Sequence, residues 1–314
     1  MTNAPNHDIL VGTGGWAYFQ VPDQDSLRAY ASIFNFVEVN STYYEYPDLR
    51  MVSRWRSRVP KGFEFAVRSH QDLVKAIRTG QELMLNRVLE KMTDICGRLD
   101  ANIVSILLPD KLGLTSKNLS KGLASIASRV RANDLQVAVE VRGRVEKEVL
   151  ETMAQNNILH SVDLSKEEPA YDSRILYSRL FGKGSSNVYQ FDDEEIKAIA
   201  DRAGSPKFEK SILAFHGVRM YGDAARLKAF LQTGKFLKVT GQTGLDSLGE
   251  VLKEDSRFPA SRDDLVGSQG WKLFDLTIDK RMRVANILAK APDRTYRSHS
   301  ELLSTLEPFL SSLE

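Results

Sequence analysis

From Ile9 to Gln232 the chain switches about eight times between short β-branched runs and longer stretches whose apolar residues recur at helical spacing. A chain that alternates in this way buries its apolar faces best in a parallel sheet whose strands are joined by helical crossovers. The alternating part, about 230 residues, matches the usual size of a (β/α)₈ barrel. An α/β fold of the TIM-like barrel type is therefore expected, rather than an open doubly wound sheet.

The strand phases sharpen that expectation. Gln136–Arg142 puts Val137, Val139 and Val141 on one face and Gln136, Ala138, Glu140 and Arg142 on the other. Phe36–Asn40 sets Val37 and Val39 against Phe36, Glu38 and Asn40, and Phe63, Phe65 and Val67 alternate with Glu64, Ala66 and Arg68. In a barrel the valine faces pack under the helices and the other faces fill the interior. Polar residues then gather late in the strands: Glu38 and Asn40, Arg68, Glu140 and Arg142, Asp163, Arg179 and His216. Late in a parallel barrel strand means the C-terminal mouth, where barrel enzymes keep their chemistry.

Further strands are predicted at Ile9–Val11, Ile103–Leu108, Leu159–Leu164, Ile175–Gly182 and Ser211–Gly217. Helices are predicted from Asp25 or Ser26 to Phe34, from Asp48, and over Gln81–Leu99, Ser116–Arg131, Glu146–Asn156, Asp192–Ala203 and Gly222–Gln232. After Thr233 the pattern changes. Val239–Gly244 reads as a linker, followed by short helices at Asp246–Leu252, Ser261–Val266, Asp279–Lys290 and Ser298–Leu310, the last with a capping-box signature in Ser298 and Glu301. The expected organisation is a disordered lead-in over 1–8, a barrel over 9–232, and a linker with a small helical domain over 233–314.

A formal net charge of +2 supplies no overall field for a nucleic acid, although a local patch remains open to one. The single cysteine, Cys96, excludes an intrachain disulfide and sits in an apolar helical pattern that suits core packing. No apolar run approaches the roughly 20 residues of a membrane span, and Met1–Asp8 lacks the regions of a signal peptide, so a cytoplasmic protein is expected. Gly12-Thr13-Gly14-Gly15 lacks the spacing of a dinucleotide fingerprint, and neither a Gly-x-Ser-x-Gly elbow nor a Walker loop is present.

Several of these residues carry a resemblance. Gly12–Tyr18, Phe34–Tyr44 with Pro47, Trp55 with Pro60, and Phe63–Arg68 resemble the YecE-like family, catalogued as domain of unknown function 72. Leu108-Pro109, Glu140-Val141-Arg142, Arg179–Gly182 and Phe215-His216-Gly217 echo it later in the chain. The resemblance implies a TIM-like barrel and brings no established activity. The sequence departs from the family pattern at Leu107, Gly143, Phe181 and His216, all mouth positions, which implies a remodelled site. The tail from about Arg257, with Phe258–Leu265 and Pro292–Tyr296, is similar to a second small family of unknown function, catalogued as domain 2795.

The mouth residues suggest a chemistry. Glu140 and Glu38, with His216 as an acid, are candidates for catalysis, and Arg68, Arg142 and Arg179 for clamping an anion. Asn40 and Thr42 can orient a hydroxyl or carbonyl, while Trp16, Tyr18, Tyr43 and Tyr44 offer faces for stacking on a sugar or base. Glu140, Asp163 and His216 could share a divalent cation, Mg²⁺ or Mn²⁺. The expected partner is a small phosphorylated ligand, and the expected reaction is phosphoester or glycoside hydrolysis or sugar-phosphate isomerisation. The alternative is a non-catalytic binding protein whose mouth charges form a structural ionic network.

Overall fold

The computed structural model describes residues 8–313. The expected lead-in lies outside the described residues except for Asp8, which opens the first strand. Eight strands form one parallel sheet: β1 (Asp8–Thr13), β2 (Phe36–Val39), β3 (Glu64–Arg68), β4 (Ile103–Leu108), β5 (Gln136–Val141), β6 (Leu159–Ser161), β7 (Ile175–Leu180) and β8 (Lys210–Phe215). Their order is β6-β5-β4-β3-β2-β1-β8-β7. A parallel bridge from Val162 to Ser178 joins the two ends, so the barrel is nearly closed.

The crossovers carry α1 (Ser26–Ile33), α2 (Leu49–Ser57), α3 (Gln71–Thr79), α4 (Glu82–Leu99), α5 (Ser116–Arg131), α6 (Lys147–Gln155), α7 (Asp193–Ala203) and α8 (Met220–Thr233). Asp25, Asp48 and Thr115 cap α1, α2 and α5 by accepting from backbone N–H groups of the first turn. Sequence patterning missed α3. Its cap is the ring of His70, whose Nδ1 accepts from Asp72 N at 3.2 Å, and its end is Gly80 in the left-handed region at φ 65°. Neither residue 70 nor a nine-residue helix gives the usual signal. Cys96 packs in the core, where burial pushes its thiol up to about 12.

The barrel interior is layered. Leu10, Phe36, Ala66, Ile103, Ala138, Leu159, Tyr177, Ile212 and Ala214 form an apolar cluster, each large side chain worth on the order of 1.5–3 kcal/mol of burial. Two residues further along five of these strands, on the same inward phase, stand Glu38, Arg68, Ser105, Glu140 and Arg179. The interior therefore changes from apolar to charged toward the C-terminal ends. Strands β1 and β2 approach too closely for any side chain at Gly12, where a Cβ would lie 1.9 Å from Phe36 O. Tyr30 fastens the same seam, donating from Oη to Phe36 O at 2.8 Å and accepting from Thr13 N at 2.9 Å. Gly12→Ala is expected to cost roughly 3 kcal/mol, the upper end of overpacking, as read from urea unfolding. An unchanged midpoint would contradict that seam.

The described chain divides into two compact units, residues up to 180 with 201–216, and residues 181–200 with 217 onward. All eight barrel strands lie in the first. The second carries α9 (Gly244–Lys253), β9 (Ala260–Ser261), α10 (Arg262–Gln269), β10 (Leu273–Asp275), β11 (Arg281–Arg283), α11 (Val284–Leu288), β12 (Thr295–Tyr296) and α12 (His299–Ser311). Its own core includes Leu252, Phe274, Ile287, Tyr296, Leu302 and Leu306.

This part is not purely helical as expected, because β10 pairs antiparallel with β11 and β9 with β12. The helix predicted over Asp279–Lys290 begins only at Val284, since Arg281-Met282-Arg283 lie in the short β11 strand. The linker at Val239 is held in place, with Asp275 Oδ2 accepting from Val239 N and Thr240 N at 2.9 and 2.8 Å. Ser298 accepts from Glu301 N as expected, but the Glu301 carboxylate turns to Arg297 N, and the reciprocal box forms at Ser261 and Asp264 instead. Among the described residues no helix is long and apolar enough to cross a membrane.

Candidate functional site at the barrel mouth

Glu38 is the centre of the charged layer and is wholly buried. Ser105 Oγ and Tyr177 Oη donate to its Oε2 at 2.9 and 2.7 Å. Arg179 Nη2 lies 3.1 Å, and Nε 3.2 Å, from its Oε1. Burial pushes this carboxyl up, but Arg179 and the Tyr177 hydrogen bond hold it down to about 2. Glu38 is thus a fixed anion. Burial also disfavours charge on Arg179, yet Glu38 and then Glu140 hold its guanidinium above its ordinary range.

From Glu38 the charges alternate outward. Arg179 donates through Nη1 to Glu140 Oε2, and Glu140 Oε1 accepts from Arg142 Nε at 3.3 Å. Side-chain exposure rises along this relay from 0% at Glu38 through 3% and 14% to 53% at Arg142, so Glu140 is where the network first meets solvent.

Arg68 is different. It is 8% exposed, donates from Nη1 to the neutral amide oxygen of Asn40 at 2.5 Å, and covers the Tyr43 ring at 4.0 Å. Its Nε is buried without a hydrogen-bond partner, and among the described residues it forms no ion pair. Burial and then the nearby Arg179 pull its pKa below the usual value, both signs of a cation short of counter-charge. His216 lies 3.4 Å from Glu38, and burial together with Arg179 holds its imidazole down to about 3, so it is neutral near pH 7. Its ring fits because residue 14 is glycine: a Cβ there would lie 2.2 Å from the ring.

Other expected site residues are placed less directly. The Thr42 hydroxyl is buried between Val39 O at 2.8 Å and Arg68 O at 2.6 Å, so it ties β2 to β3. Trp16 packs edge-on against Trp55, while Tyr18 and Tyr44 are exposed at 83% and 67%. Asp163 accepts from Ser165 Oγ at 2.6 Å and lies 3.2 Å from Lys166 Nζ. Among the described residues no group of three His, Cys, Asp or Glu is arranged to hold a metal, which leaves Glu140, Asp163 and His216 without a shared cation centre of their own. Ser105 and Tyr177 were not singled out from the sequence. Their inward phase, shared with Glu140 and Arg179, is the signal that could have found them.

A nearly closed eight-stranded parallel barrel with this charged end defines a TIM-barrel-like protein. The chain belongs to the family described as Protein of unknown function DUF72, which matches residues 10–242. That match stops at residue 242, so the likeness of the tail to domain 2795 rests on its own residues alone. Two crystal structures of a DUF72 family protein from Enterococcus faecalis are similar in fold. They are 19% and 20% identical, cover 73% and 71% of this chain and 98% and 94% of their own, and superpose with TM-scores of 0.58 and 0.56. A D-psicose 3-epimerase solved in the presence of D-fructose is 12% identical over 71% of this chain and 98% of its own, with a TM-score of 0.49. No curated protein matches the chain.

Proposed function

We propose that the barrel mouth is an active site that holds a small phosphate-bearing ligand through Arg68 and Arg142 and uses Glu140 for proton transfer in its hydrolysis or isomerisation. The observation that carries this reading is the buried Arg68 guanidinium with a neutral partner and an unused Nε. A buried cation without a counter-charge costs several kcal/mol, which an incoming anion offsets, and a guanidinium fork suits phosphate oxygens. Glu38 is not the base in this scheme, because Ser105, Tyr177 and Arg179 keep it ionised and occupied. It positions Arg179, which in turn positions Glu140. Tyr18 and Tyr44 offer exposed rings to a sugar or base.

Glu140→Gln is expected to abolish turnover in a panel of phosphoesters and sugar phosphates while ligand affinity stays within about threefold. Arg68→Met is expected to weaken affinity by roughly tenfold to a hundredfold, the worth of one charge-assisted hydrogen bond. A second reading, a non-catalytic barrel closed by an ionic network, is favoured by the complete mutual burial of Glu38 and Arg179. Absence of turnover on phosphoesters, glycosides and sugar phosphates alike would favour it over the enzyme.

A further inference from the structure

The second unit contains a cavity of about 320 Å³ that shares no residue with the barrel-mouth cluster. Its wall is apolar along Val218, Ala225, Leu237, Val239, Val251 and Leu273. Its polar lining is mostly cationic. Arg226, only 2% exposed, spends its Nη atoms on Phe191 O, Asp223 and Asp193, and its Nε remains buried with no hydrogen-bond partner.

Arg219 repeats the pattern: its Nη2 meets Glu254, and its Nε is buried and unpartnered. Lys238, exposed at the rim, donates to the neutral carbonyl of Gly241 at 2.8 Å and forms no ion pair among the described residues. Glu254 is the one carboxylate lining the cavity among the described residues, and Arg219 and Lys272 already share it. Two unused guanidinium donors and an unpaired ammonium therefore surround an apolar space at the small end of the range for metabolite pockets.

We propose that this cavity is a second ligand site, for a small monocarboxylate with an apolar body. The carboxylate would accept from the Arg219 and Arg226 Nε groups, satisfying donors whose isolation costs on the order of 1–3 kcal/mol each. The aliphatic part would lie on the valine and leucine wall. The volume excludes a polymer, and the apolar wall disfavours inorganic phosphate or a sugar.

Gly222 supplies the test. It lines the cavity, and a Cβ built on it meets nothing within 4 Å, so a larger side chain fills the space without displacing the fold and improves the propensity of α8. Calorimetric titration of the whole protein with 4-methylpentanoate is expected to show saturable binding, with 4-methylpentanamide weaker by roughly tenfold or more. Gly222→Leu is expected to abolish binding with an unchanged melting temperature, and Arg219→Met to weaken it by roughly tenfold. Absence of binding to the unmodified protein, equal affinity for acid and amide, or full binding by Gly222→Leu would each overturn the proposal.

Discussion

Arg179→Met is expected to destabilise the protein by about 3–5 kcal/mol, enough to unfold a marginally stable barrel at ordinary temperature. Arg179 is buried between Glu38 and Glu140, and Glu38 has no access to water. Removing the guanidinium leaves a buried carboxylate with only Ser105 and Tyr177 as hydrogen-bond donors. The double variant Glu38→Gln with Arg179→Met is expected to recover most of the loss, because Gln can still accept from both hydroxyls and no isolated charge remains. Glu140, partly exposed and in contact with Arg142, tolerates the change. Urea unfolding of the two singles and the double gives the coupling directly. A double variant no more stable than Arg179→Met would show that the pair is not what holds this layer together.

Acid is expected to produce the second large effect. His216 is held down to about 3 from an ordinary 6.5, so below 6.5 the unfolded chain binds a proton that the folded one refuses. The unfolded state then holds more protons, and stability falls as pH drops from about 6.5 toward 3. Glu38 is held at about 2 against an ordinary 4.5, so its contribution is complete above 4.5 and is lost as pH falls toward 2. Each group acts with a slope of roughly 1.4 kcal/mol per pH unit inside its own window. Burial also lowers His160, which adds to the upper window, so a comparison of the unmodified protein with His216→Asn isolates the mouth histidine. Chemical unfolding between pH 7 and 4.5 is expected to show a shallower slope in His216→Asn, and identical slopes would contradict a buried neutral His216.

The barrel was legible because its signal is periodic. Val137, Val139 and Val141 declare an outward face in sequence, and the helices between strands repeat often enough to leave one parallel solution. The convergence of Glu38, Glu140 and Arg179 was legible for the same reason, since phase and position in the strand together fix where a side chain points. Who pairs with whom was not. Arg68 and Arg179 occupy equivalent late-strand positions, yet one is neutralised twice and the other faces an amide, a difference set by the reach of Asn40 and Glu140. The role of Gly14 was equally hidden, because it depends on a loop lying against a ring about 200 residues further along the chain, and loop approach leaves no periodic trace. In the tail, β10 and β11 are three residues each, too short for alternation to show.

The central claim is that Arg68 is a cation awaiting an anion. Crystals soaked in tungstate, an electron-dense stand-in for phosphate, test it most directly. The expected result is anomalous density within about 2.7–3.2 Å of Arg68 Nε, with Arg142 turned inward to share it. Density only elsewhere, with Arg68 still bound to Asn40 alone, would contradict the claim.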